Sequence, residues 1–127
     1  MALDGGCTDH VCSPDDVPVY VVEESPGSRV GQHFVVGNGA RIPNTGQSCH
    51  NLESDGPIAN ALKSVFQIAK VSRPLLSVGR ICDGGLFMNF SDTKADVVDP
   101  DGNVVCSFQR QLGGLCVARL RLKSLFG

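Results

Sequence analysis

Pro74-Leu75-Leu76-Ser77-Val78-Gly79-Arg80-Ile81-Cys82-Asp83-Gly84-Gly85 is the stretch on which the reading of this 127-residue chain turns. It is a compact apolar run that ends on an Asp-Gly-Gly breaker. The run predicts a buried strand entering one short helix. The paired glycines stop that helix, because glycine accepts the backbone conformation with which helices commonly end. A further strand is expected over residues 86–90.

Outward from this block, turns separate β-rich runs. Residues 32–36 and 40–42 flank Gly37-Asn38-Gly39, and Asn-Gly between two strand-like runs predicts a hairpin because both residues tolerate positive φ. Pro100-Asp101-Gly102-Asn103 predicts a second hairpin, between residues 96–99 and 104–108. Val17-Pro18-Val19-Tyr20-Val21-Val22 reads as a strand, placed at an edge by Pro18 and broken by Ser25-Pro26-Gly27-Ser28. Ile58, Leu62, Val65, Phe66 and Ala69 suit a helix, but residues 64–69 also form a β-run, and the neighbouring strands favour the latter. Residues 115–122 read as one strand, with Cys116, Ala118, Leu120 and Leu122 on one face and Arg119 and Arg121 on the other. Many short strands, glycine-rich turns and one short helix predict a single all-β domain over residues 1–127, closed or sandwiched.

Composition narrows the function. The net charge is −2 and the 11 Lys and Arg are scattered, with only Arg119, Arg121 and Lys123 close together, so no nucleic-acid footprint is read. Apolar runs are too short to span a bilayer and no charged segment precedes an apolar one, so no membrane partner is expected and the expected location is intracellular and cytoplasmic. Six cysteines are even in number, but without a secretory signal they are expected as reduced thiols. Cys7, His10 and Cys12, with Cys49 and His50, match no common structural zinc spacing, so no metal or other cofactor is expected.

One carboxylate stands out. Asp4-Gly5-Gly6-Cys7 follows apolar Ala2 and Leu3, which leaves an acid at a sharp turn where glycine permits close approach. A surface Asp-Gly turn is the plain reading. The alternative is a carboxylate that faces a second one and activates a water molecule.

In order, these pieces resemble the retropepsin-like aspartic proteases of LTR retrotransposon polyproteins, with features of copia-like elements. Those open with an apolar pair and Asp-Ser/Thr-Gly-Ala followed by a valine, here Ala2-Leu3-Asp4-Gly5-Gly6-Cys7 with Val11. Their flap hairpin corresponds to residues 34–43, with Gly37, Asn38 and Gly39 at its tip. Their leucine-leucine-serine-valine block with a short helix corresponds to residues 74–85. The resemblance runs from Ala2 to Leu122, and residues 75–85, at their distance from the flap, are its specific part.

The resemblance implies a small closed β-barrel with a flap hairpin and one short helix near the C-terminal third. It implies an aspartic endopeptidase acting as a homodimer on its own polyprotein. Each subunit supplies Asp4, and the two carboxylates share one proton because both cannot ionise cheaply side by side. Gly5, Gly6 and Cys7 form the active-site loop. Val11, Val36, Ile42 and Val78 are subsite walls, although core packing alone would also explain apolar strand residues. Arg80, after Gly79, ties the helix to the active-site loop, with Asp9 as its partner. Two departures stand against full activity. Gly5 replaces the Ser or Thr whose hydroxyl cross-links the two loops, and only three residues precede Asp4, so a truncated N-terminus is expected. A catalytically impaired dimerisation or peptide-binding module is therefore the alternative.

Overall fold

The computed structural model describes residues 1–5, 7–17, 21–35, 39–54, 62–118 and 120–124. Strands β1 (Ala2–Asp4) and β2 (His10–Cys12) lead to a 3-10 turn (Pro14–Asp16) and the single-turn helix α1 (Pro26–Arg29). β3 (His33–Val35) and β4 (Arg41–Pro43) form a hairpin, and β5 (Gly46–Ser54) and β6 (Leu62–Ile68) a longer antiparallel pair. β7 (Leu75–Ser77) runs directly into α2 (Val78–Asp83). β8 (Phe87–Phe90), β9 (Lys94–Val98) and β10 (Val104–Arg110) make a meander, followed by β11 (Cys116–Val117) and β12 (Leu120–Ser124).

Ten strands join one sheet in the order β12-β5-β6-β2-β7-β1-β11-β10-β9-β8, and β3 and β4 form a separate two-stranded sheet. The centre of the large sheet decides where Asp4 sits. β7 lies parallel to β1, with Ala2 opposite Leu75, Leu3 opposite Leu76 and Asp4 opposite Ser77, while Val11 of β2 pairs Leu75 from the other side. The 74–85 block is thus threaded between the first two strands of the chain, and Asp4 stands level with the point where β7 becomes α2.

The core forms because the inward positions of these strands are apolar. Phe66, Leu76, Ala95, Val97 and Phe108 have no exposed surface, and Leu52 and Ile68 only 1%. Each of the larger side chains contributes about 1.5–3 kcal/mol by leaving water. Ile81 brings α2 onto the same cluster.

The expected strand-into-helix block is present. Ser77 Oγ accepts from the Arg80 N–H at the helix start, and Gly85 (φ +87°) follows its C-terminal cap Gly84. The hairpin at residues 99–103 is present too, with Gly102 at φ +87° and Asp99 Oδ1 accepting from Asp101 N and Asn103 N. The strands of the 32–42 hairpin pair as expected, with Phe34 opposite Ile42. Its residues 36–38, which include Val36, Gly37 and Asn38, lie outside the described residues, as do Gly6 and residues 18–20.

Four expectations need correction. The sheet is not a closed barrel among the described residues, since β8 and β12 are its two ends. The last strand, which could have closed it, instead pairs with β5 over five positions, from Leu120 opposite Ser54 to Ser124 opposite His50. Residues 115–122 are two strands, β11 beside β10 and β1, and β12 at the far end. Cys116, Ala118, Leu120 and Leu122 nonetheless all pack against the core. The strand expected over residues 17–22 is absent from Val17, Val21 and Val22, which pack against the core without a ladder, and only Glu23 bridges to Gln47. Pro18, lacking an N–H, cannot donate to a ladder there. Finally, Ser25-Pro26-Gly27-Ser28 does not merely break the chain. Ser25 and Ser28 exchange backbone-to-hydroxyl bonds of 2.9 and 3.0 Å around Pro26, which adds a second helical turn.

Candidate functional site

Asp4 ends β1, and the chain turns at once, with Cys7 N donating to Asp4 O at 3.3 Å. The Cys7 thiol lies 3.6 Å from Asp4 Oδ2, to which it donates. Burial and the Asp4 carboxylate push the Cys7 pKa up to about 11, so it stays a protonated donor.

This turn is laced to the β7–α2 block. Ser77 Oγ donates to Cys7 O at 2.7 Å, and Ser77 N donates to His10 Nδ1 at 2.9 Å. His10 is buried against the Phe66 ring, with centroids 5.3 Å apart. Burial and, secondarily, the Arg80 cation bring its pKa down to about 4, with the Asp9 carboxylate opposing. Arg80 does meet Asp9. Its Nη2 and Nε lie 2.7 and 3.1 Å from Asp9 Oδ1, and Nε also donates to Thr8 O at 3.1 Å. The guanidinium is half exposed, so the ion pair adds no more than about 1 kcal/mol. Its consequence is positional, because three donor contacts hold the 8–9 backbone against α2.

The turn after Asp4 and the β3–β4 hairpin line one cleft of about 680 Å³. Asp4, Cys7 and Val11 line one wall, and Phe34, Val35 and Ile42 the hairpin side. Val11 and Ile42 thus both line this cleft. Val78 does not line the cleft. It begins α2 and packs on the core. Gly5 is exposed and Gly39 has φ +82°. A second depression of about 530 Å³ lies beyond Asp9 and Arg80, beside His10 and Gln67, both already engaged in internal hydrogen bonds.

The hairpin is fastened at its base by amides that the sequence reading missed. Asn44, 5% exposed, donates from Nδ2 to Gln67 Oε1 at 2.8 Å and to Gln32 Oε1 at 3.1 Å, and its Oδ1 accepts from Gly46 N. No local pattern marks the Asn44 bonds to Gln32 and Gln67, which span 12 and 23 residues. Ser77 was also missed, although a serine just before a helix is a legible cap signal. Gly46 shares this tight packing, because a Cβ there would lie 2.5 Å from Glu23 O and 2.9 Å from Val22 Cγ1. Gly46→Ala is expected to lower stability by about 1–3 kcal/mol, as overpacking does. A urea-unfolding midpoint equal to wild type would refute this.

Among the described residues no group of three or more His, Cys, Asp or Glu is arranged to hold a metal ion. The six cysteines form no disulfide. No helix among the described residues is long and apolar enough to cross a membrane. Comparison with family models, curated proteins and solved structures finds no match for this chain.

Proposed function

We propose that this chain is one subunit of a retropepsin-like aspartic endopeptidase. The observation that carries the reading is the placement of Asp4, at the end of a buried strand and on the wall of a cleft that a hairpin also lines. Two further features support it. The 74–85 block is threaded beside Asp4, and Arg80 ties α2 to the turn that follows Asp4.

In this reading a homodimer brings two Asp4 side chains together over one water molecule. The pair shares a proton, since two adjacent carboxylates cannot both ionise cheaply. The ionised carboxylate takes a proton from the water as its oxygen attacks the scissile carbonyl carbon. The protonated carboxyl donates to the carbonyl oxygen, and the amine then leaves with a proton. The substrate lies extended, bound through backbone hydrogen bonds to strand edges, with the hairpin excluding water. The Cys7 thiol and the Ser77–Cys7 bond hold the turn that presents Asp4. The substrate class is peptide, with the chain's own retroelement polyprotein as the proposed natural target.

The test is peptide hydrolysis by wild type and Asp4→Asn at mildly acidic pH, with a statine-type inhibitor. Cleavage lost in the variant and blocked by the inhibitor supports the reading. Equal cleavage in both, or a strictly monomeric wild type without activity, counts against it.

Gly5 favours a second reading, a peptide-binding or dimerisation module of the same fold with impaired catalysis. Nothing lies within 4 Å of a Cβ built on Gly5, so Ser or Thr fits without displacement. Restoring the hydroxyl by Gly5→Thr is expected to raise kcat/KM about fivefold for each hydrogen bond regained across the dimer. Cleavage appearing only in Gly5→Thr would assign the native chain to the binding module.

A further inference from the structure

The two sides of the cleft differ in charge. Asp4 and Asp9 stand at the β1–β2 turn, and Asp9 already holds Arg80. Lys70 and Arg73 stand on the connection between β6 and β7, are exposed, and line the same cleft. The ion pairs among the described residues are Arg29–Glu24, Arg80–Asp9 and Lys94–Asp96, so neither Lys70 nor Arg73 is neutralised by a carboxylate there.

The strand register sets where these cations lie relative to Asp4. Asp4 is level with Ser77 and Ala2 with Leu75, and Lys70 and Arg73 lie seven and four residues before the level of Asp4, on the bent connection that leads into β7. An extended peptide held at Asp4 and running along the cleft passes these cations on one flank. A carboxylate carried there meets two cations inside a concave wall, where attraction exceeds that of an open surface pair. A continuous polyanion such as nucleic acid would instead have to pass Asp4 and Asp9.

Resting on the endopeptidase reading, we propose that the cleft selects extended peptides bearing an acidic side chain on the flank of the bond held over Asp4, recognised by Lys70 and Arg73. In a homodimer the two-fold axis repeats the pair, so acidic residues are selected on both flanks.

The experiment separates binding from cleavage. Fluorescent peptides differing only in Glu or Gln at the flanking positions are titrated against the Asp4→Asn protein and against Asp4→Asn carrying Lys70→Glu and Arg73→Glu. The Glu peptide is expected to bind at least about fivefold more tightly, with the advantage shrinking as salt rises and vanishing or inverting on charge reversal. Both cations are exposed, and a circular dichroism spectrum confirms that the reversed protein folds. Equal binding of the two peptides, an advantage that survives charge reversal, or no binding of either peptide overturns the proposal. Wild type is then given the Glu peptide. Selective binding without cleavage sinks the peptidase reading and leaves the acidic-peptide selectivity in place, whereas cleavage indifferent to Glu or Gln does the reverse.

Discussion

Asp4→Asn is expected to lower kcat/KM for peptide hydrolysis by about 10²–10⁴-fold, the range that general acid–base catalysis supplies. An asparagine can still accept from the Cys7 thiol and still sits level with Ser77, so the turn has no reason to rearrange. It cannot accept a proton from water at this step, and two asparagines cannot share one. The loss should therefore fall on kcat, with substrate binding largely retained. The measurement is a full steady-state comparison at mildly acidic pH, with the thermal midpoints of both proteins recorded beside it. A variant that keeps more than a tenth of the activity would remove Asp4 from the chemistry. A variant with a collapsed midpoint would show that Asp4 is structural instead.

Acid should destabilise the fold through His10, by up to about 3 kcal/mol between pH 6.5 and 4. The folded-state pKa of His10 is about 4, against an ordinary value of 6.5. As pH falls below 6.5 the unfolded chain takes the proton first, so unfolding is favoured progressively until the folded chain also protonates near 4. Stability is thus complete above pH 6.5, declines through the window, and gains no further penalty from this group below it. The cause is the buried ring beside Phe66, whose Nδ1 accepts from Ser77 N and would have to release that donor if protonated there. His10→Asn retains an acceptor near that position and cannot titrate. Its unfolding free energy in urea should be flatter than wild type over this pH window, although lower at pH 7 because the ring packing is lost. Parallel pH profiles for the two proteins would exclude His10 as the source. For the proposed peptidase the consequence would be a trade. A shared-proton dyad would favour mild acid, while stronger acid undermines the Ser77–His10 contact that braces the turn after Asp4.

Part of the candidate site was legible before the structure. Asp4 at the end of an apolar pair is a local signal, whereas the Arg80–Asp9 pair, 71 residues apart, and the cleft positions of Val11 and Ile42 followed only from the resemblance. Val78, placed among the subsite walls by the resemblance, packs against the core. The bonds of Asn44 to Gln32 and Gln67 were invisible because amide contacts across 12 and 23 residues carry no local signature. Pro26-Gly27 was taken for a breaker because the Ser25–Ser28 exchange that turns it into a cap depends on both hydroxyls meeting the backbone in one geometry.

By itself the sequence determined the local elements. Gly85 and Gly102 stop α2 and turn the 99–103 hairpin because each needs a positive φ that other residues resist, and that preference acts within a few residues. Only the tertiary structure decided that β7 lies between β1 and β2, that β11 and β12 fall in distant parts of the sheet, and that the sheet stays open among the described residues. These outcomes depend on which buried faces meet across some seventy residues of chain, as Leu3 meets Leu76, and such a pairing is selected by shared burial and register rather than by any residue's own preference.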